Sequence, residues 1–350
     1  MREKSSGNFF IVAACVIIVL AGLKIASPIV VPFLLSLFIA IILSPGYNFF
    51  NKKGLPHGIS LLIVISFLIL FFVLVGKLLG SSAVEFNANL SFYEKQLTLY
   101  FHDIVEFAND FGIDIPEKDL QTVFNPKLIM GFATNILQGM SSLVTNGFVT
   151  LLTVVFMLLE SDVFVKKMIY ISSKSSASTH VGTILSQIKE YMVLKALISL
   201  LTGFIIYIGL LLIGTDYPFL WAVLAFMLNF IPNIGSIIAA VPAVLLTLVG
   251  VDAMSALIVV VLYVTVNVVI GSIIEPKVMG SGLGLSTLVV FLSLLFWGWL
   301  LGIVGMLLSI PLTIMAKITL NANKDTSWIA VLLGTGDSLE NNVSKLQEQN

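Results

Sequence analysis

The chain has 350 residues, 58% of them hydrophobic and 11% charged, with a formal net charge of −1. Soluble domains carry about 25% charged residues, so this much apolar surface excludes a fold bathed in water and makes the bilayer the natural solvent. The charge balance excludes a nucleic-acid partner, which needs a basic patch. The single cysteine, Cys15, excludes an internal disulfide, and with His57, His102 and His180 scattered outside the apolar runs no metal or other cofactor is expected.

Arg2 and Lys4 precede a first apolar run, Phe9–Leu23. No small-x-small cleavage site leads from it into a polar chain, so it reads as a membrane helix and not as a signal peptide. Stretches that approach or reach spanning length follow at Phe9–Ile25, Ile29–Leu43, Ile59–Leu79, Leu143–Leu159, Ala196–Ile213 and Met254–Ile274. Two longer apolar stretches are broken in the middle. Phe219–Val249 is interrupted at Asn229–Gly235, and Leu285–Leu320 at Trp297–Gly302. Each reads either as a helical hairpin that enters and leaves from one side or as a tight pair of spans.

The fold class is therefore all-α, a polytopic transmembrane helical bundle of about eight helices with broken or re-entrant hairpins in the C-terminal half. Residues 1–80 hold the first three membrane helices, and 81–142 form an extracytoplasmic amphipathic helical segment. Residues 143–195 hold the fourth helix and a cytoplasmic loop. Residues 196–320 are a transport region with the two broken hairpins, and 321–350 are a cytoplasmic tail. Lys52, Lys53, Lys166, Lys167, Lys174, Lys189, Lys277 and Lys324 fall on one side if both termini are cytoplasmic. The segment Ser81–Asn125 then faces out.

Phe86, Leu90, Tyr93, Leu97, Tyr100, Ile104, Phe107 and Phe111 alternate in steps of four and three along that segment. This is a heptad seam on one long helix. It packs either on its own subunit or against a neighbouring one. In the C-terminal half, the helices Ala196–Ile213 and Met254–Ile274 each lead into a broken pair. The second arms carry Gly235 with Pro242 and Gly305 with Pro311. The two leading helices run in opposite directions in this topology, the arrangement of inverted transporter repeats whose broken segments mark a midplane site.

The chain holds no phosphate-binding loop, no HExxH and no GxSxG, so it does not read as an enzyme. The best constellation is the first break, where Pro232 and Gly235 free backbone groups that need partners inside a bilayer. Asn229 and Asn233 either cap those groups or present amides to a polar solute. Asn267, alone in an apolar helix, either bonds a neighbouring helix or touches a ligand. Glu275 is an acid near membrane depth, functional by default, or one half of an ion pair with Lys277 or Lys195. Lys195, at the start of an apolar run, is expected to snorkel to the surface. Ser286 and Thr287 read as helix caps. Trp297 and Trp299 form an interfacial belt or line the pocket. No carboxylate lies deep in an apolar run, which favours an uncharged solute.

Several blocks carry a family resemblance. They are Pro28-Ile29-Val30-Val31-Pro32-Phe33, Phe226-Met227-Leu228-Asn229-Phe230-Ile231-Pro232-Asn233-Ile234-Gly235-Ser236, and Glu275-Pro276-Lys277-Val278-Met279-Gly280. Gly284–Ser293, Phe296–Gly302 and Ser309-Ile310-Pro311-Leu312 belong with them. Over almost the whole chain these blocks resemble the autoinducer-2 exporter family. The resemblance implies a bacterial inner-membrane protein, a homo-oligomer with a pentamer as the described assembly, and an elevator-like movement. The implied substrate is a small hydroxylated furanone-type quorum signal, autoinducer-2, moved outward. Other branches of the family resemble sodium/proton antiporters, so a cation/proton antiporter is one rival reading. A non-transporting membrane scaffold built on the outer heptad helix is the other.

Overall fold

The computed structural model describes residues 3–110, 130–131, 134–135, 138, 147–172, 178–232, 234–279, 284–321 and 326–334. Among them there is no strand. In chain order the helices are α1 Glu3–Ile25, α2 Ser27–Lys52, α3 His57–Asp110, α4 Gly147–Ser172, α5 Ser178–Ile213, α6 Pro218–Leu228 and α7 Gly235–Gly250. Then come α8 Ala253–Val266, a π-helix Asn267–Ile274, α9 Glu275–Met279, α10 Thr287–Leu307, α11 Ser309–Asn321 and α12 Ser327–Leu332.

Five stretches among the described residues have the length and apolar composition of a membrane span: Ser27–Lys52, His57–Tyr100, Ile188–Ile213, Ala253–Val278 and Thr287–Leu307, the last of them kinked at Gly302. The outward faces of these helices carry large apolar side chains such as Leu62, Phe67, Leu70, Leu212 and Leu288. In water that surface is unfavourable; against acyl chains it is not.

The N-terminal helices make a scaffold. Tyr47 and Ala40 of α2, Leu61, Val64 and Leu68 of α3, and Val154 and Leu158 of α4 share one buried cluster. Ser36, fully buried in α2, donates to the Pro32 carbonyl at 2.7 Å and to the Thr150 carbonyl of α4 at 3.1 Å. A single helix, α3, runs through position 80 and carries the start of the heptad seam. Phe86, Tyr93 and Leu97 are buried against this same chain. The Phe86 ring stacks on Tyr93 and meets Trp221 edge-on. The seam packs on its own subunit there. The side chains of Ile104 and Phe107, and everything from Phe111 to Lys127, lie outside the described residues.

The C-terminal half shows how the two breaks are built. α6 has 11 residues and spans about 16 Å at 1.5 Å per residue, half of a hydrocarbon core of about 30 Å. It cannot cross. It runs back along α5, with Ala222 and Phe226 against Gly203, and reverses after Leu228. The turn binds its own backbone: the Ile231 N–H donates to the Leu228 carbonyl at 2.8 Å, and the Ile234 N–H to the Pro232 carbonyl at 2.7 Å. α7 then returns, and Thr247 meets Thr215 at the far end of α5 at 2.8 Å. The chain thus enters and leaves from the C-terminal end of α5.

The second hairpin enters from the other end. α10 follows α9, and Gly302 leaves the helix at φ 69°, a conformation that favours glycine. The chain turns back there, because a Cβ on Gly305 would strike the Trp297 carbonyl oxygen. The Trp297 indole N–H donates to the Thr313 hydroxyl at 2.9 Å across the two arms. Lys317 of α11 returns to the mouth of the hairpin and donates to the Gly284 carbonyl. In the first hairpin a Cβ on Gly235 would likewise strike the Leu228 carbonyl. Both reversals are held by a glycine pressed on the carbonyl of the preceding arm.

Alanine at either position must therefore force the arms apart. Gly235→Ala and Gly305→Ala are each expected to lose about 1–3 kcal/mol by overpacking. Gly80→Ala, in helix α3 with open space around it, is expected to be neutral or to gain up to about 1 kcal/mol from helix propensity. Melting temperatures of the three purified variants check this.

Candidate functional site

The two helices that lead into the hairpins lie antiparallel. Lys195 of α5 meets Glu275 of α9, and Gly209 of α5 abuts Leu262 of α8. Between those contacts, the two chains face each other with polar residues. On α5 these are Lys195, Ser199 and Thr202, at helical spacings of four and three. On α8 and its continuation they are Tyr263, Asn267 and Glu275, with the small Gly271 between the last two, all at steps of four. Side chains at such steps share a helix face. Thr202 and Asn267 sit near the middle of the apolar stretches Ile188–Ile213 and Ala253–Val278, so the polar row runs through the depth where a bilayer is driest.

The tip of the first hairpin closes this row. Thr202, Ile206, Ala225, Asn229, Ser236, Tyr263, Val266, Asn267, Ile270 and Gly271 line one small pocket. Its free space is about 10 Å³, roughly one water-sized sphere. Asn229 donates to the Ser199 hydroxyl at 2.9 Å, so its amide ties the hairpin tip to α5. It does not cap the break, whose N–H groups are already satisfied by the turn. Thr202 donates to the Ile198 carbonyl at 3.0 Å. The helix widens to a π-helix at Asn267, a distortion frequent at functional sites.

On the other side of the same tip lies an open apolar cavity of about 310 Å³. Pro232 and Ile234 line it from the first hairpin, and Thr287, Leu288, Val290, Phe291 and Leu294 from the first arm of the second. The hairpin tip thus stands between a small pocket with polar groups in its wall and a larger apolar cavity.

The expected site residues fall into three groups. Asn229 and Asn267 line the polar pocket, and Gly235 holds the tip that covers it. Pro232 and Thr287 face each other across the apolar cavity. Ser286 caps α10, accepting from the Val289 N–H at 3.3 Å, and Trp297 is tied to Thr313 inside the second hairpin; neither touches the polar pocket. Trp299 points outward with the Lys24 ammonium 4.1 Å above its ring. Asn233 lies outside the described residues.

Glu275 and Lys195 form an ion pair at 2.5 Å. The expectation that Lys195 snorkels is overturned: its side chain is 3% exposed. The reason is the helix start. α5 begins at Ser178, so Lys195 is an interior residue with no nearby end to reach. Glu275, 21% exposed, neutralises it. Tyr263, Ser199 and Thr202 were not singled out from the sequence. Their signal is the spacing of polar residues along two apolar helices, visible once the antiparallel register is known.

Two broken hairpins entering from opposite ends, around a buried polar row in a chain with an apolar exterior, define a polytopic α-helical membrane transport protein. The chain belongs to the AI-2E family transporters, whose family pattern matches residues 13–325. It is 44% identical over 334 residues to a Haemophilus influenzae protein assigned to transport by name only, covering 92% of this chain and 94% of that one. It is 39% identical over 324 residues to the AI-2 transport protein TqsA of Escherichia coli strain K12, covering 92% and 94%. To the YhhT transport relative of the same strain it is 37% identical over 338 residues, covering 95% and 96%.

Removing one partner of the buried pair leaves an uncompensated charge. Lys195→Met and Glu275→Gln are each expected to lose about 3–5 kcal/mol, while Lys195→Met with Glu275→Leu recovers most of it. A double-mutant cycle by denaturation in detergent measures the coupling.

Proposed function

We propose that this chain exports a small neutral polar signal of the autoinducer-2 type. The observation that carries the reading is the polar pocket at mid-depth, lined by hydroxyls and amides and closed by the tip of a broken hairpin. Amides and hydroxyls give and accept hydrogen bonds, so they match a hydroxylated solute without requiring charge. The pocket is lined by no ionised side chain, and the nearest charges, Lys195 and Glu275, neutralise each other. The similarity to TqsA supports the same substrate class.

The mechanism follows from the partition. The pocket has space for about one water, so a solute enters only when the tip moves. Asn229 is the tip's tie to Ser199. Breaking that one hydrogen bond and shifting the hairpin joins the polar pocket to the apolar cavity beside Pro232 and Thr287. The first hairpin tip moves relative to the second hairpin and to the α2–α4 scaffold in an elevator-like step. The protein does this in the bacterial inner membrane, with both termini cytoplasmic, as a homo-oligomer for which the family resemblance implies a pentamer.

A cation/proton antiporter is the second reading. The observation that favours it is Glu275, a carboxylate at the end of the polar row. In that mechanism Glu275 must leave Lys195 to take a cation, and sodium gradients would move protons in vesicles.

Cells lacking the gene test the first reading. Deletion is expected to trap autoinducer-2 inside, and wild-type protein to restore its release. Asn229→Ala and Asn267→Ala, expressed to the same level, are expected to cut efflux roughly tenfold, about the effect of one hydrogen bond. An unchanged distribution between cells and medium overturns the substrate, and sodium-dependent proton flux that vanishes in Glu275→Gln would establish the antiporter.

A further inference from the structure

The pocket contains a polar group that the fold itself does not use. Tyr263 is 5% exposed, its ring packed in the main core cluster with Ile206, Leu246 and Val266. Tyr263 lines the polar pocket, and its buried hydroxyl has no hydrogen-bond partner among the described residues. Buried hydroxyls are nearly always paired, and an unpaired one destabilises the protein that holds it. Phenylalanine would fill the same space without that penalty.

The neighbouring polar groups differ in whether the fold engages them. Asn229 and Thr202 are engaged with Ser199 and Ile198. Asn267, one turn after Tyr263, lines the pocket at the point where the π-helix begins. Gly271 leaves room for its amide: a Cβ there would sit 3.1 Å from the Asn267 Oδ1. Tyr263 and Asn267 thus lie four residues apart on one helix face and line the same pocket, at mid-depth, beneath the hairpin tip.

We infer that the Tyr263 hydroxyl is a solute-binding group, which donates to and accepts from the hydroxyls of an uncharged, polyhydroxylated solute beside the Asn267 amide. The inference deepens the transport reading and rests on it. The hydroxyl destabilises the empty protein and is satisfied in the loaded one. Binding energy is then specific for solutes that can hydrogen-bond, because an apolar solute of the same size leaves the phenol unpaired.

The test uses full-length wild-type and Tyr263→Phe protein in detergent, with autoinducer-2 as the probe. Without solute, Tyr263→Phe is expected to melt at the wild-type temperature or above it. Added autoinducer-2 raises the wild-type melting temperature by mass action, and Tyr263→Phe needs a roughly tenfold higher concentration for the same shift. In proteoliposomes the variant raises KM by a similar factor with kcat little changed. A solute-free melting temperature several degrees below wild type overturns the inference, because the hydroxyl then has a structural partner such as a bridging water. Equal saturation of the two proteins overturns it as well. If autoinducer-2 shifts neither protein, that substrate falls, and ribose, a neutral furanose, decides Tyr263 by the same two criteria. A chain that neither solute stabilises overturns the inference.

Discussion

Inside a bilayer every backbone N–H and C=O has to find its partner within the protein. The rest of this structure depends on how that constraint is met at two interrupted helices. At the first break the turn closes on its own carbonyls, through Ile231 to Leu228 and Ile234 to Pro232. At the second, Gly302 takes a conformation that reverses the chain and Trp297 bonds Thr313 across the arms. Because the first turn bonds its own carbonyls through Ile231, Ile234 and Gly235, side chains beside it are released for other work. Asn229 reaches α5 instead of the break, and the tip covers the pocket without relying on its side chains to patch the turn.

The same constraint explains where polarity is allowed. The outward faces of α5 and α8 are mostly apolar, and along the line where the two helices meet polar side chains follow one another. That line starts at the Lys195–Glu275 pair and passes Ser199, Thr202 and Asn267 to Tyr263. The ion pair holds the two helices in antiparallel register at one end. Where α8 begins, Asp252 caps it, accepting from the Ser255 N–H at 2.7 Å. That hydrogen bond holds the carboxyl below the usual carboxylate range. The π-helix between Asn267 and Ile274 adds local width where the row is most polar.

Much of this was legible in the sequence, for physical reasons that differ from residue to residue. Pro232 and Gly235 announce the first break because neither sustains a helix interior. The heptad from Phe86 to Leu97 announces a long helix, and the burial of Phe86, Tyr93 and Leu97 shows this part of the seam packed within its own chain. Glu275 was recognisable as costly at membrane depth, and Lys195 was among its possible partners. The exposure expected for Lys195 failed because apolar run length marks the hydrophobic stretch and not the helix, which starts at Ser178. Tyr263 was missed because a tyrosine in an apolar helix is chemically ambiguous. Only the register of α5 against α8 turns it toward a pocket, and that register is a long-range property.

The account stands on the movement of the first hairpin tip relative to the second hairpin. Pulsed electron-spin distance measurement tests it most directly, with labels at Ile237 and Leu288, both exposed, after replacement of Cys15 by serine. The account predicts two distance populations, and autoinducer-2 shifts the balance between them in protein that still transports. A single distance, unchanged by solute in an active labelled protein, would contradict it.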